Sequence, residues 1–546
     1  MATVTSPTRR SVTAVGPIQA ILRKGFFVVE GWLDQIFTPA WNPFHHFGAL
    51  GFFYYWIVAV TGIYLYIFFD TSTSTAYTTV EYLTTEQWYL GGVMRSLHRY
   101  ASDGMVLMMA VHIVREFAFD RFRGARWFTW VTGVPILWFV IASGVTGYWL
   151  VWDKLAQYVA VRTTEWLDWL PIFGEPVARN FLSPTNLDDR FFTLLIFLHI
   201  AVPLFLLLAL WIHLNRVTRP RINPPRGLAV GTFVMMMALA FIKPAVSHAP
   251  ADLSVVPTIL NLDWFYLAAY PLMDVWSHGT VWGAAVSVTL ILFLLPFIPP
   301  MRRPSAAVVD LANCNGCTRC EEDCPYAAIE MERRTDERPF DRQAVVIDAR
   351  CVGCGICAGS CPTATPFRIG SDLIPGIDLP NPSISTLRDQ LDRAVDNITG
   401  HPKILLIGCD HAAQVAQLTN NRIAAVSLPC IGMLPPSFID YALSRKHADG
   451  VFVTGCRDGE CRNRLGVRWT EDRLNGKRDP ALRKRVPRNR LAWHWAAPTD
   501  LTALRREIEN FAGRLADLPT ADPPTIPTTR TARPAPEMPT GAQAND

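Results

Sequence analysis

No cysteine occurs in the first 313 residues of this 546-residue sequence; all twelve lie beyond that point. Disulfides and thiolate-held metals are thereby excluded from more than half of the chain. Charge is scarce as well. Only 18% of residues are charged and the net charge is +4, too little for the basic field that nucleic-acid binding requires. No segment repeats at a solenoid period. Residues 1–17 are polar and lack the apolar stretch of a cleavable signal peptide. What the first 300 residues do contain is long apolar runs, in a chain with 18 Trp and 30 Phe. Charged and Pro-rich sequence dominates the remainder, so a membrane half followed by a soluble half is expected.

Six runs are long and apolar enough to span a bilayer, at about 47–69, 91–118, 126–151, 190–214, 228–247 and 276–298. Basic residues mark one side. Arg9, Arg10, Arg23 and Lys24 precede the first run; Arg121, Arg123 and Arg126 join the second and third; Arg216, Arg219, Arg221 and Arg226 join the fourth and fifth; Arg302 and Arg303 follow the sixth. The opposite loops carry Asp70, Glu81, Glu86, Asp168, Glu175 and Asp252. The positive-inside rule then places both termini in the cytoplasm of an inner-membrane protein. These arginine-rich loops are most simply topology signals.

The second run, RSLHRYASDGMVLMMAVHIVR, has His98 and His112 14 residues apart, and the fourth repeats that spacing with His199 and His213. At ~100° and ~1.5 Å per residue, each pair lies on one helix face about 21 Å apart. Antiparallel neighbours would set His98 opposite His199 and His112 opposite His213, each couple able to hold a six-coordinate haem iron. Four histidines hydrogen-bonded in a bundle core are the plainer alternative. Arg95, Arg99 and Arg115 sit beside the histidines as counter-ions for haem propionates.

With these residues the sequence over about 40–300 resembles the cytochrome b of quinol-oxidising cytochrome bc complexes. Gly48, Gly51 and Gly62 in the first run and Gly133 and Gly147 in the third match small positions against haem faces. Pro203 and the run GYWLVWDKLAQY also fit. Residues 262–266, LDWFY, stand where the family carries Pro-Glu-Trp-Tyr. The resemblance implies that Asp263 accepts a proton from quinol near the outer haem, one methylene shorter than the family's Glu. A carboxylate capping the following helix is the structural alternative. The family's last two helices have no counterpart here.

CNGCTRCEEDCP (314–325) and CVGCGICAGSCP (351–362) are both C-x2-C-x2-C-x3-C-P, the two-cluster ferredoxin run in which the fourth Cys serves the other cluster. Cys314, Cys317, Cys320 and Cys361 are expected to hold one [4Fe–4S], and Cys351, Cys354, Cys357 and Cys324 the second. Zinc seldom takes this spacing, and disulfides do not suit a cytoplasmic domain. Cys409, Cys430 and Cys456 end apolar strands, which a parallel sheet gathers at one edge; Cys461 completes C-x4-C with Cys456. Over about 403–470 this part resembles the delta subunit of methyl-viologen-reducing hydrogenases. That resemblance implies a [2Fe–2S] cluster on these four residues; free thiols or zinc stay open.

The expected fold is therefore a multidomain one. An N-terminal segment (1–39) leads into a six-helix cytochrome b-like transmembrane bundle (40–300). A 2[4Fe–4S] ferredoxin-like domain (305–375), a small α/β parallel-sheet domain (400–516) and a disordered tail (517–546) with seven prolines follow. The expected function is a membrane quinone/quinol oxidoreductase subunit with two b haems. It exchanges electrons with a soluble heterodisulfide-reductase-, hydrogenase- or formate-dehydrogenase-like complex through its C-terminal domain. Family resemblance adds an expected homodimer. Two alternatives are a proton-motive bc-type complex with Rieske and cytochrome c partners, and a redox-inert membrane anchor. Quinol electrons are usually too high in potential to reduce ferredoxin-type clusters unaided, so direction is open.

Overall fold

A computed structural model describes residues 16–172, 182, 188–215, 217, 220–298, 304–368, 373–457 and 460–518. Arg9, Arg10, Glu175, Arg216, Arg219, Arg302, Arg303 and the tail from 519 onward lie outside the described residues.

Ten helices make up the first half among the described residues: α1 (Pro17–Trp41), α2 (Phe47–Phe68), α3 (Ala76–Thr85), α4 (Val93–Ala118), α5 (Trp127–Val151), α6 (Lys154–Asp168), α7 (Asp189–Asn215), α8 (Arg226–Ile242), α9 (Tyr270–Val275) and α10 (His278–Leu294). Helices occupy all six expected membrane runs. Four of them are long and apolar enough to cross a bilayer: Phe47–Phe68, Trp127–Val151, Phe192–Asn215 and His278–Phe297. The other two differ for identifiable reasons. α8 has only 17 residues, and α4 carries Arg95, Arg99, Asp103, Arg115 and Glu116 on 26. Such charges are tolerated at membrane depth only when turned inward and paired, as they are here. α2 packs along α4, and α5 along α7, so the helices bearing the histidines face each other from two separate pairs. α6 runs from an Asp153 cap that accepts from Ala156 N at 2.8 Å.

The cysteine-rich part is built on two small antiparallel ladders. β1 (Val308–Val309) pairs with β4 (Ile377–Asp378), and β2 (Ile329–Arg333) with β3 (Arg342–Val346). Its two short helices, α11 (Arg319–Asp323) and α12 (Ile356–Ser360), occupy equivalent places in the two cysteine runs. The C-terminal part follows helix α13 (Ile384–Asp396) with four parallel strands: β5 (Ile404–Cys409), β6 (Ile423–Leu428), β7 (Gly450–Gly455) and β8 (Leu491–Trp495), ordered β6-β5-β7-β8. Helices α14 (Pro436–Ser444), α15 (Gly466–Leu474) and α16 (Leu501–Ala516) cover the sheet. Every residue of β5 and β7 is buried, as continuous apolar strands in a parallel sheet must be.

The two soluble parts share one apolar core, which runs from Ala328 and Ala358 through Ile384 and Leu391 to Leu405 and Val453. An ionic layer reinforces the seam: Asp323 of α11 pairs with Arg473 of α15 and with Arg478.

Candidate functional site

In the helical half, the His98 and His199 rings lie with centroids 6.3 Å apart, one from α4 and one from α7. His98 Nδ1–H donates to Val58 O at 3.0 Å and lies 3.1 Å from Thr61 Oγ. A carbonyl only accepts, so this nitrogen carries the proton and Nε2 offers its lone pair. Thr61 donates its own hydroxyl hydrogen to Ile57 O at 2.7 Å, leaving its oxygen to accept. The same device recurs twice. Thr146 Oγ is 3.2 Å from His199 Nδ1, Thr132 Oγ is 3.2 Å from His213 Nδ1, and both hydroxyls donate back to their own helix at 2.8 Å. A glycine follows each threonine. A Cβ on Gly62 would lie 3.0 Å from His98 Cε1, one on Gly133 3.3 Å from His213 Cε1, and one on Gly147 2.9 Å from His199 Cε1.

His112 lies in electrostatic reach of His213, Glu116, Arg115 and Arg121. It has no hydroxyl or carbonyl partner among the described residues, and the residue before Gly48 is Phe47, not threonine. Gly48 and Gly51 face open space. Three imidazoles with Nδ1 beside an oxygen and a glycine against the ring, two of them face to face across α4 and α7, fit histidine ligation of haem.

The three arginines expected beside propionates already hold protein partners. Arg95 pairs with Glu81 (3.4 Å) and donates to Ser247 Oγ (2.8 Å). Arg115 Nε donates to Glu30 Oε1 at 2.7 Å and stacks 4.7 Å over Phe119. Arg99 bridges Asp103 (3.2 Å) and Asp263 (3.0 Å) and stacks 4.5 Å over Tyr148. Asp263 is buried, accepts from the Tyr148 hydroxyl, and also accepts from Phe265 N at 2.8 Å. This carboxylate caps a local turn and joins a buried polar cluster.

The structure brings the ferredoxin-type cysteines together in the interleaved sets. Cys314, Cys317, Cys320 and Cys361 line one pocket, and Cys324, Cys351, Cys354 and Cys357 line another. Gly316 (φ 65°) and Gly353 (φ 64°), equivalent in the two runs, take the left-handed conformation. A Cβ on them would meet Arg342 O at 2.5 Å and Ser305 O at 2.9 Å. Burial and the neighbouring sulfurs push Cys320 and Cys354 up to about 12. Thiolates crowded this way need iron's positive charge, so the donor set fits clusters.

At the C-terminal sheet Cys409 Sγ and Cys456 Sγ are 4.0 Å apart, and Cys430 and Cys461 close the group. All four are buried. Hydrogen bonding to Cys461 and Cys409, with burial, pushes Cys430 and Cys456 well up. Cys430 in turn packs with Ile356, Trp469 and Cys354 of the second ferredoxin-type set.

One expectation is corrected. The loop at 119–126 is not only a topology signal, because it grips the segment around Cys461. Arg121 donates to Glu460 O (3.0 Å), Arg126 to Arg462 O (2.8 Å), and Arg462 to Phe119 O (3.2 Å). Tyr326, just after Cys324, donates to Asn463 Oδ1 at 2.8 Å. Guanidinium groups were counted in the sequence only as membrane charge, whereas their partners here are backbone carbonyls some 340 residues away, which no sequence pattern marks. The threonines were also missed, although Val-Thr-Gly recurs at 60–62, 131–133 and 145–147.

Comparison with known proteins adds three family matches. Residues 33–219 match Cytochrome b/b6/petB, residues 313–365 the 4Fe–4S dicluster domain, and residues 404–519 the methyl-viologen-reducing hydrogenase delta subunit. Cytochrome b6 of Auxenochlorella protothecoides is 31% identical over 188 residues, 34% of this chain and 87% of that protein. Cytochrome b6 of Porphyra purpurea is 30% identical over the same length and shares. A solved hyperthermophilic respiratory Complex III aligns with a TM-score of 0.39 and 19% identity, over 46% of this chain and 75% of that one.

Proposed function

We propose, from the premise that this chain belongs to the cytochrome b/b6 family through its helical half, that it is a quinone/quinol oxidoreductase subunit wired to a soluble redox partner. It is a multi-pass membrane protein with haem b and iron–sulfur domains, and thus an electron-transfer subunit. Beyond that, His98 and His199 hold a haem toward the outer face of the inner membrane, and His112 and His213 one toward the cytoplasm. The cysteine sets hold two [4Fe–4S] clusters and, at Cys409, Cys430, Cys456 and Cys461, a [2Fe–2S]. When bound, these groups supply one-electron carriers, the haems usually at higher potential than ferredoxin-type clusters.

The observation that carries this reading is the joint made by Arg121 and Arg126. It seats the loop of Cys461 against the chain just beyond His112. In the proposed order electrons pass His98/His199, His112/His213, the sheet cysteines, the Cys354 set and last the Cys320 set. The C-terminal domain is accordingly a junction. The soluble heterodisulfide-reductase-, hydrogenase- or formate-dehydrogenase-like partner docks on the iron–sulfur half, where Cys314, Cys317, Cys351 and Cys354 are half-buried while the sheet cysteines are covered. At the other end Asp263, its carboxylate oriented by Arg99 and Tyr148, takes the proton when quinol is oxidised and returns it when quinone is reduced. Flow from the clusters to quinone is downhill. The reverse needs membrane potential or a bifurcating partner.

Redox-titrated optical and EPR spectroscopy of the purified chain tests this. Two low-spin bis-imidazole haems, two [4Fe–4S] signals and one [2Fe–2S] signal are expected. Cys456→Ser should abolish the [2Fe–2S] signal and stop electron exchange between haem and [4Fe–4S]. Unchanged exchange in that variant would sink the proposed order, and missing haem signals would sink the whole reading.

A further inference from the structure

We propose that Glu30, His45 and Glu460 bind one divalent transition-metal ion of the zinc class, clamping the C-terminal sheet to the helical half. The three come from the middle of α1, the turn before α2 and the segment next to Cys461. Their donor atoms all lie within 4.8 Å of one another. The side chains are sealed from solvent, with exposures of 1% for Glu30, 0% for His45 and 6% for Glu460.

One buried atom on each of the three has no hydrogen-bond donor beside it: Glu30 Oε2, His45 Nδ1 and Glu460 Oε1. Their opposite ends are all occupied or anchored. Arg115 Nε donates to Glu30 Oε1 at 2.7 Å. His45 Nε2–H donates to Asp34 Oδ1 at 3.2 Å, and Asn42 Nδ2 donates to the same oxygen at 2.8 Å. Arg457 pairs with the other oxygen of Asp34. A carboxylate on one ring nitrogen fixes the tautomer and turns the other nitrogen's lone pair into the cluster, as metal-bound histidines require. Glu460 is carried on the loop that Arg121 and Arg126 hold.

Glu30 and Glu460 are close enough to share a proton, but that proton does not reach the imidazole. His45 Nδ1 and Glu460 Oε1 are 3.6 Å apart, beyond hydrogen-bond reach. That is the spacing of two ligands each about 2.1 Å from a common ion. A proton between the two carboxyls leaves the imidazole lone pair unfilled, whereas one ion satisfies all three atoms. Charge agrees: Glu30, Asp34 and Glu460 outnumber Arg115 and Arg457, leaving a net negative pocket for a cation. One imidazole and two carboxylate oxygens form a three-ligand set with a fourth position open.

The test uses the full-length protein, incubated with zinc, desalted, and assayed by elemental analysis and zinc-edge X-ray absorption. About one zinc per chain with an imidazole and oxygen shell is expected. His45→Ala and the isosteric Glu460→Gln should each lose it with haem absorbance and iron content unchanged. Should His45→Ala fail to fold, Glu460→Gln and the wild-type absorption spectrum still decide. Absence of retained zinc, sulfur ligation, or equal zinc in Glu460→Gln overturns the proposal. So does a zinc-free protein showing a protonated-carboxyl infrared band that Glu460→Gln removes.

Discussion

Behind three of the four imidazoles stands a threonine oxygen that accepts from Nδ1–H, and that small group has leverage over the iron. An acceptor on Nδ1 makes the imidazole a stronger donor and favours the oxidised metal. Thr132→Val should therefore raise the potential of the haem held by His213. The loss of about 1 kcal/mol corresponds to about 40 mV for one electron, readable by optical titration. His112 has no hydroxyl or carbonyl partner among the described residues, so the two imidazoles proposed for that haem already differ. Gly147→Val is harsher. Its Cβ alone would sit 2.9 Å from His199 Cε1, and it should cost roughly half of the haem b absorbance. At this scale the patterns stand in the sequence itself, as histidine spacing, glycine position and the two C-x2-C-x2-C-x3-C-P runs. Thr61, Thr132 and Thr146 were equally visible, but mid-helix threonines read as ordinary apolar-helix residues until an imidazole is seen beside them.

Helices and loops reveal a different limit. α7 was legible because it is apolar throughout, and Leu204, 62% exposed, sits on its outward side. Leu204→Arg should cost about 2.5–3.5 kcal/mol of membrane insertion, measured as a fall in inserted protein. α4 was legible as an apolar run bearing two histidines. Its charges keep it out of the four helices that qualify as spans by composition, yet Arg99, Asp103 and Asp263 pair within the bundle. In the cysteine loops, Gly316 and Gly353 hold left-handed turns that other residues adopt at a cost of about 1–2 kcal/mol. Gly353→Ala also meets Ser305 O, so it should deplete the cluster of Cys351, Cys354 and Cys357 while sparing the other set. EPR of the reduced protein would show the [4Fe–4S] intensity falling by roughly half.

Across the whole molecule, the least legible feature was the seating of the last domain. Its strands and cysteines could be read from apolar runs ending in Cys, but its contacts are guanidinium groups on backbone carbonyls, and carbonyls have no sequence signature. Arg121→Ala combined with Arg126→Ala should leave every centre's spectrum intact and slow haem–cluster exchange. Each charged hydrogen bond is worth about 1.5–3 kcal/mol, so a drop of about tenfold or more in exchange rate is expected by stopped-flow spectrophotometry. The shared core between the ferredoxin-like part and the sheet means that these two soluble units unfold together rather than separately. A ribosome making this chain releases the ferredoxin-like cysteines before residues 404–495, which complete their shared apolar core, exist. The ferredoxin-like part therefore waits with an open apolar face until the sheet is made.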